Sequence, residues 1–360
     1  MSERVVVAGG GMSGLAAAEE LEKQGFEVYV IDEDSEHVYR PSLPSIINGK
    51  DLEKIRFDTE KILENSEINL IEETIESFDT EGKTVETSED SYSYDYLVVG
   101  LGGEIRDSDF SLTLTGDFYT LESAKNTSNA LEGVDSAVII GSGYVGVEAA
   151  LRMDSRDIDV TLVDSSTRPL SEEDPKVSEK VLEILNKREI SFMAGKKVDS
   201  AHDYGVEFKD GKDKESDIVI WCGGIQASKV VQENFKTGTE GLKVNKGLSA
   251  VNFESVYAIG KSADTEGGSR ALEAIKQGRL AAKNISKKEG LLEDYERSDG
   301  YRYICSPNSG VLVRNNSAFS SNLVNLLGIL DELRYRGKVW RKRKLKDIGV
   351  SLDPILSMMD

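Results

Sequence analysis

Cysteine, proline and long apolar runs are scarce in this sequence, and each scarcity excludes a class of protein. Cys222 and Cys305 are the only cysteines among 360 residues, and neither belongs to a Cys-x-x-Cys pair. This excludes a disulfide scaffold and a dithiol reductase. Six prolines are too few for a proline-rich linker or a collagen-like repeat. No run approaches the about 20 apolar residues of a membrane span, and no signal-peptide pattern opens the sequence, so we expect a cytoplasmic protein.

Positive charge and histidine are also in short supply. The 44 Lys and Arg residues face 65 Asp and Glu residues, which gives a net charge of −21. A general nucleic-acid binder needs a positive footprint and is excluded. The only histidines, His37 and His202, stand in polar surroundings and are predicted at the surface, and we expect no metal site. With 39% hydrophobic and 30% charged residues, the chain has the composition of a globular protein of roughly two to three domains.

The first 32 residues carry a dinucleotide-binding pattern. Residues 5–8 form an apolar strand, and the motif at residues 9–14, GGGMSG, connects it to a helix that continues to about Gln24. In such a loop the first glycine permits the tight turn, the second lets the backbone approach a pyrophosphate, and the third lets the helix pack against the strand. The helix N-terminus attracts phosphate. Asp32, which ends the next strand, is placed to accept from ribose hydroxyls.

The same pattern returns 132 residues later, position by position. Residues 137–140 form the strand, residues 141–146 form the loop GSGYVG, and Asp164 ends the following strand. One such motif is weak evidence, whereas two with identical spacing are strong evidence for two nucleotide sites. Because a carboxylate repels a 2′-phosphate, Asp164 favours NADH over NADPH. Arg168, four residues later, leaves NADPH open.

The rest of the chain supplies further sheet and helix segments. Residues 205–208 and 217–221 are predicted as strands of a sheet, joined through the charged turn at residues 209–214. Residues 255–259 form another short apolar strand, and residues 270–286 form a helix. This order predicts one nucleotide-binding domain inserted into another, with the first completed late in the sequence.

The sequence resembles the two-dinucleotide-binding-domain flavoproteins over roughly its first 290 residues. Its features are most similar to the type II NADH dehydrogenases and their sulfide:quinone reductase relatives. Besides the two glycine motifs, the resemblance rests on residues 39–44 (YRPSLP), 94–103 (YDYLVVGLGG), 220–225 (IWCGGI) and 256–263 (VYAIGKSA).

The resemblance implies an α/β fold class with two Rossmann-like FAD/NAD(P)-binding domains, one inserted in the other, plus a C-terminal helical and basic tail. The FAD-binding domain is expected to be discontinuous, at residues 1–110 and 245–300. The NADH-binding domain is expected at residues 111–244, and residues 301–360 are expected to contact a membrane or a second copy of the chain.

The resemblance also implies which residues form the two cofactor sites, with FAD on the first glycine motif and NADH on the second. Glu148 is the candidate catalytic residue that fixes the nicotinamide or ribose, although a helix dipole favours any carboxylate at this position. The candidate cofactor-binding residues are Gly9, Gly11, Met12, Ser13, Gly14, Asp32, Pro44, Gly102, Gly141, Gly143, Gly146, Asp164, Gly223, Gly224, Gly260, Lys261 and Ala274.

The sequence departs from the family pattern in two places, the segment that closes over FAD and residues 271–277. The family has an aspartate where Lys261 stands, and a lysine donates hydrogen bonds but accepts none. Lys261 could instead reach a phosphate, or Asp264 could replace the missing carboxylate. Leu272 and Lys276 occupy positions where quinone-reducing dehydrogenases tend to have glutamines, which weakens the quinone assignment.

The C-terminal segment, residues 319–346, is the candidate for contact with an anionic membrane surface. Residues 334–346 hold eight basic residues and no acid, with Tyr335 and Trp340 among them. An apolar helix face followed by such a block suits a membrane surface; the alternatives are a dimer helix or docking on the protein's own acidic surface. The predicted helix face consists of Phe319, Leu323, Leu326, Leu327 and Leu330.

The sequence as a whole therefore predicts an FAD-dependent NADH oxidoreductase, peripheral on the inner face of the cell membrane, that passes electrons to a quinone. Sulfide:quinone reduction is disfavoured because the cysteines do not form the pair it needs, and Cys222 is predicted to be a buried thiol. A soluble NADH-dependent reductase of a small redox protein and a non-catalytic nucleotide sensor that has lost FAD remain alternatives.

Overall fold

Two parallel sheets and eight helices organise the part of the chain that the structure describes. The computed structural model describes residues 2–106, 116–202, 204–238, 240–267, 270–287, 292–297, 302–307, 310–314, 316–321 and 323–340. Its helices are α1 (Met12–Lys23), α2 (Thr59–Leu63), α3 (Leu121–Ala130), α4 (Tyr144–Asp154), α5 (Pro175–Lys187), α6 (Lys229–Phe235), α7 (Ala271–Ile285) and α8 (Val324–Trp340).

The first sheet has the glycine-motif strand Arg4–Ala8 at its centre. All five strands run parallel, and Val5, Val6 and Val7 are fully buried because α1 and α7 cover one face while a small antiparallel sheet and α6 cover the other. The strand order across the sheet is Val256–Ala258, Tyr96–Val99, Arg4–Ala8, Glu27–Asp32 and Asn69–Glu72. The first of these comes late in the sequence, so the chain returns to this sheet after the second sheet is built.

The second sheet repeats this arrangement around the strand Ser136–Ile140. It is also five-stranded and parallel, and its central strand is buried in the same way. The strand order is Gly116–Asp117, Ile218–Trp221, Ser136–Ile140, Asp159–Val163 and Ser191–Met193. Two parallel sheets with the glycine-motif strand at the centre of each confirm the α/β fold class.

Smaller sheets and three 3-10 helices complete the described part of the chain. The 3-10 helices span Arg40–Asn48, Leu52–Lys54 and Gly260–Ser262. Three-stranded antiparallel sheets contain Ile75–Asp79, Thr84–Thr87 and Ser91–Ser93, then Val198–His202, Gly205–Phe208 and Asp213–Glu215, and finally Arg302–Ile304, Gly310–Arg314 and Ser317–Ser321. The two-stranded pairs are Glu36–Val38 with Arg56–Asp58, Gly103–Ile105 with Ile225–Ala227, and Leu242–Lys243 with Ala263–Asp264.

The two strands predicted on either side of residues 209–214 are present, but they belong to different sheets, and the predicted turn ends in a third strand. Gly205–Phe208 turns back on Asp213–Glu215 in its own antiparallel sheet, whereas Ile218–Trp221 belongs to the second parallel sheet. The alternating Gly205–Phe208 pattern fits a half-buried hairpin, while the continuous apolar run of Ile218–Trp221 is buried on both faces.

The predicted C-terminal helix face is wrong at its beginning. Phe319 lies in the strand Ser317–Ser321, and α8 begins only at Val324. Leu327 is fully buried, whereas Leu326 is 41% exposed. The side chains of the basic block lie mostly outside the described residues, which end at residue 340. Within the described residues, no helix is both long and apolar enough to span a bilayer.

Candidate functional site

The first glycine loop ends in a helix N-terminus without a side-chain cap. Gly11 is the N-cap residue of α1, and a Cβ added to it would meet no atom within 4 Å. A Cβ at Gly14 would lie 1.8 Å from the carbonyl oxygen of Gly9, so only glycine lets the helix approach the loop this closely. The free N–H groups of residues such as Met12 and Ser13 and the open space beside Gly11 fit a pyrophosphate.

The second glycine loop has the same geometry. Gly143 caps α4 without a side-chain hydrogen bond, and a Cβ added to it also meets nothing within 4 Å. A Cβ at Gly146 would lie 1.9 Å from the carbonyl oxygen of Gly141. The two motifs therefore form two equivalent openings beside uncapped helix N-termini, one at the end of each parallel sheet.

Each loop is fixed by the acidic residue at the end of the following strand. Asp32 accepts from the backbone N–H of Gly10, and Asp164 accepts from the backbone N–H of Ser142 at 2.7 Å. The second carboxylate oxygen of each aspartate accepts from the N–H two residues further along, at 3.0 and 2.7 Å. Burial raises the pKa of Asp32 above its ordinary value. These bonds leave further acceptor positions on each carboxylate for ribose hydroxyls.

Arg168, the residue that left binding of NADPH as an alternative, forms hydrogen bonds within its own loop. Its guanidinium donates to the carbonyl oxygens of Glu173 and Ser171 and to the hydroxyl of Ser178, all at 2.8 Å. These bonds direct the positive charge to the loop backbone.

The fold brings several predicted FAD residues together at the first loop. A Cβ on Gly260 would lie 3.1 Å from the Oγ of Ser13 and 3.8 Å from the Cβ of Ala274. The hydroxyl of Ser262 lies 3.4 Å from the carbonyl oxygen of Gly102. Residues from three distant parts of the sequence thus surround the N-terminus of α1.

The predicted NADH residues of the second site also meet. A Cβ on Gly141 would lie 2.4 Å from the carbonyl oxygen of Cys222 and 2.7 Å from the nitrogen of Gly223. The indole of Trp221 donates to the carbonyl oxygen of Gly224 at 3.2 Å and so fixes the turn that carries both glycines.

Lys261 is held by an ion pair. Its ammonium lies 3.2 Å from a carboxylate oxygen of Glu240, and Arg106 lies 3.0 Å from the other oxygen. The hydrogen bond from Lys261 holds the pKa of Glu240 below its ordinary value. The lysine stem passes Gly103, where a Cβ would lie 2.8 Å from its Cγ.

Glu148 is largely buried, with 13% of its side chain exposed, and it forms an ion pair. Arg152, one turn further along α4, contacts the Glu148 carboxylate at 2.8 Å, and the backbone N–H of Cys305 also donates to it. Burial raises the pKa of Glu148. Arg152 donates in turn to Asn48 at 3.2 Å, at the end of the 3-10 helix that contains Pro44, which is itself buried. Glu148 therefore fixes α4 against this segment, and its contact with the nicotinamide stays a prediction.

The two thiols lie in unrelated surroundings. Cys222 packs against the second glycine loop, with its Cβ 3.3 Å from where a Cβ on Gly146 would lie. Cys305 packs against Gly328 of α8. Burial raises the pKa of both thiols, that of Cys305 to about 12. Both side chains are therefore protonated at neutral pH, which makes them poor nucleophiles.

A cluster of three arginines surrounds Glu173 and was not predicted from the sequence. This buried carboxylate accepts from Arg270 at 2.8 Å, from Arg297 at 3.3 Å and from Arg302 at 2.7 Å. The hydroxyl of Tyr144, in the second glycine motif, lies 3.2 Å from the same carboxylate. The arginines are 97 to 129 positions away in sequence, so no local pattern could reveal the cluster.

The surface prediction is wrong for His37. This side chain is only 3% exposed because the strand Glu36–Val38 packs beneath the first glycine loop and α8. His202, by contrast, is partly exposed, with 31% of its side chain accessible.

With this geometry established, comparison with known proteins decides the family. Residues 3–278 match the family described as pyridine nucleotide-disulphide oxidoreductase. The chain belongs to this family. Its members are flavin-dependent NAD(P)H oxidoreductases, so the resemblance, the enzyme class and the cofactors FAD and NADH are confirmed at the level of the family.

Relatives within the family differ in the activity named for them. An assimilatory nitrate reductase electron transfer subunit from Bacillus subtilis is 26% identical over 79% of this chain, which spans only 39% of that relative's length. A type II NADH:quinone oxidoreductase from Staphylococcus saprophyticus is 23% identical over 79% of this chain and 82% of its own length. The sulfide:quinone oxidoreductase from Aquifex aeolicus superimposes with a TM-score of 0.82 at 17% identity and covers 99% of this chain and 95% of its own.

Proposed function

We propose that the chain is an FAD-dependent NADH oxidoreductase that passes electrons to a quinone at a membrane surface. The observation that carries the proposal is the duplicated site: each parallel sheet ends in an uncapped helix N-terminus beside a carboxylate. A dinucleotide needs both, one for its pyrophosphate and one for its ribose. Two such sites on one chain suit one flavin dinucleotide and one nicotinamide dinucleotide.

FAD would be held by the first glycine loop and the segments packed on it. The N–H groups at the start of α1 would bind the pyrophosphate, and Asp32 would accept from the ribose. The N-terminus of α7 would place its dipole near the flavin ring and favour negative charge there. When bound, FAD supplies the redox chemistry by taking hydride from NADH and releasing electrons to an acceptor. The proposed FAD-binding domain comprises residues 1–110 and 245–300.

NADH would be held by the second glycine loop, within residues 111–244. The start of α4 would bind its pyrophosphate, Asp164 would bind its ribose, and the turn at Gly223 and Gly224 would lie along the nicotinamide end. While Glu148 is paired with Arg152, it would affect NADH only indirectly, by fixing α4. Direct contact with the nicotinamide would require this ion pair to open. In this proposal the chain positions and orients both cofactors and supplies no acid, base or nucleophile of its own.

NADH should be preferred over NADPH by at least about tenfold in kcat/KM, because a like-charge contact between the 2′-phosphate and Asp164 costs several kcal/mol. The substitution Arg168→Ala should leave this ratio within about twofold, since the guanidinium bonds its own loop. Steady-state rates with both nucleotides test the prediction. A selective loss of NADPH activity in the variant would show that Arg168 binds the 2′-phosphate.

An exposed apolar surface on the C-terminal segment supports a membrane-bound acceptor. Leu323, Leu326, Ile329 and Leu333 are 41–53% exposed along one side of α8 and the residue before it, and Phe319 on the neighbouring strand is 45% exposed. Such a surface fits insertion between lipid headgroups, and a following basic block fits anionic lipids. A homodimer would cover the same surface and is the competing arrangement.

The triple substitution Leu326→Ser, Ile329→Ser and Leu333→Ser should weaken binding to anionic vesicles by at least about tenfold, since each half-exposed side chain would contribute about 1 kcal/mol. Co-sedimentation with vesicles measures the change. Val251→Ser with Leu292→Ser is the control, because both residues are exposed but lie outside the C-terminal surface. Unchanged sedimentation of the triple variant, with a loss of dimer in light scattering, would assign the surface to self-association.

NADH oxidation by the purified protein, measured with and without quinone-containing vesicles, tests the proposed function. We expect turnover that depends on quinone and rises when the vesicles are anionic. Turnover with a small soluble redox protein and none with quinone would favour the soluble reductase. A ferredoxin reductase from Rhodopseudomonas palustris is among the solved structures with a fold similar to that of this chain. Nucleotide binding without any turnover would favour the sensor.

A further inference from the structure

Hydrogen bonds hold both peptide groups that flank the Cα of Gly10, and the one to His37 holds the group between Gly10 and Gly11. The N–H of Gly10 donates to Asp32, and the carbonyl oxygen of Gly10 lies 3.2 Å from Nδ1 of His37. In a trans peptide the C=O and the following N–H point in opposite directions. The contact with His37 therefore also sets the direction of the Gly11 N–H, at the N-cap of α1.

The protonation of His37 follows from its two partners. A carbonyl oxygen only accepts, so Nδ1 must carry the proton that it donates to Gly10. Burial lowers the pKa of His37 to about 4, so the ring is neutral at pH 7 and Nε2 is an acceptor. The partner of Nε2 is the hydroxyl of Tyr335, and burial raises the pKa of this tyrosine so that it keeps its proton. A directed chain of hydrogen bonds thus runs from Tyr335 through His37 to Gly10.

Tyr335 reaches this position because α8 is attached to the first part of the chain. Its ring packs on Tyr39 with centroids 4.9 Å apart and on His37 at 5.7 Å. One helical turn back, Glu332 accepts from Ser42 at 2.7 Å and pairs with Lys50. These contacts join the inner side of α8 to the 3-10 helix Arg40–Asn48 and its flanks, 282 to 298 positions away in sequence.

We propose that His37 and Tyr335 are positioning residues for FAD, and that the C-terminal helix is therefore part of the cofactor site. The hydrogen-bond chain holds the Gly10–Gly11 peptide in the orientation that presents the Gly11 N–H to the pyrophosphate. The inference rests on the proposed FAD site at the first glycine loop. By thermodynamic reciprocity, bound FAD stabilises the attachment of α8 to the same extent that α8 stabilises FAD.

A double-mutant cycle on FAD binding tests the inference. Tyr335→Phe keeps the ring but removes the donor, and should raise the Kd of FAD about tenfold, the cost of one lost bond in a buried chain. His37→Phe should raise it at least as much. The double variant should match His37→Phe alone within about twofold, because both residues act through the same Gly10 carbonyl. Titration of FAD into protein stripped of cofactor measures each Kd.

Tyr303→Phe is the matched control. This partly buried tyrosine also packs against α8, and its described hydrogen bonds go to Asp331 and Tyr39 rather than to the chain from Tyr335 through His37 to Gly10. It should leave the Kd of FAD within about twofold of wild type even if it lowers stability.

Hydrogen exchange is a second test: FAD should slow exchange in α8 of the wild type and less so in Tyr335→Phe. Equal Kd values for Tyr335→Phe and wild type, or fully additive effects in the cycle, would overturn the inference. A wild-type protein that does not bind FAD would instead overturn the proposed function.

Discussion

Gly14→Ala should yield a protein without flavin, whereas Gly146→Ala should yield a flavoprotein that NADH no longer reduces. In each case the new Cβ would lie less than 2 Å from a carbonyl oxygen of the same loop, at 1.8 Å for Gly14 and 1.9 Å for Gly146. The helix must move away from the loop, and the pyrophosphate site is lost with it. We expect a loss of at least about a hundredfold in affinity for the nucleotide concerned.

The two variants control each other, because the same change is made in two equivalent loops. Flavin content by absorbance and its reduction by NADH and by dithionite distinguish them: Gly146→Ala should respond to dithionite alone. Gly238→Ala is an outside control, since a Cβ there meets nothing within 4 Å. If both variants lost flavin equally, or if Gly14→Ala retained it, the assignment of one nucleotide to each loop would be wrong.

Glu173→Gln should lower the free energy of unfolding by about 3 kcal/mol, because it leaves three guanidinium groups without their shared carboxylate. The side chain of Glu173 is 5% exposed, and those of Arg270, Arg297 and Arg302 are 17–26% exposed. The cluster joins the loop before α5 to the start of α7 and to the C-terminal sheet. Urea unfolding of the FAD-loaded protein measures the change.

The neighbouring residue supplies the control for this prediction. Glu172 lies 3.6 Å from Arg270, but its side chain is 84% exposed, and exposed ion pairs contribute little. Glu172→Gln should therefore unfold at nearly the wild-type urea concentration. Equal midpoints for the two variants would show that the arginines find other acceptors and that the Glu173 cluster does not hold these segments together.

The duplicated nucleotide-binding loops could be predicted from the sequence because their geometry is local. A tight turn, a close helix and a terminal carboxylate all depend on residues within about 25 positions, so GGGMSG with Asp32 and GSGYVG with Asp164 were sufficient. Strands of a parallel sheet are buried on both faces, so they can be recognised in the sequence as continuous apolar runs, as in Ile218–Trp221. The apolar run at residues 255–259 predicts a further strand in the same way, and its residues Val256–Ala258 pair with the first sheet.

The features that could not be predicted from the sequence depend on contacts between distant segments. Polar neighbours in the sequence make His37 resemble a surface residue, but the first glycine loop, Phe57 and α8 pack around it and bury it. The Glu173 cluster unites residues more than 90 positions apart. Phe319 satisfied a helical spacing, but its segment pairs with Gly310–Arg314 as a strand. In each case contacts between distant segments determine the structure, and a local sequence pattern does not reveal such contacts.

The most direct test of the account is the visible absorbance spectrum of the purified protein, recorded before and after anaerobic addition of NADH. The two-site arrangement predicts a bound flavin band that bleaches on adding NADH, because both nucleotides then meet between the two glycine loops. No flavin band, even after FAD is supplied, would contradict the FAD site at the first loop. A band that dithionite bleaches and NADH does not would contradict the NADH site at the second.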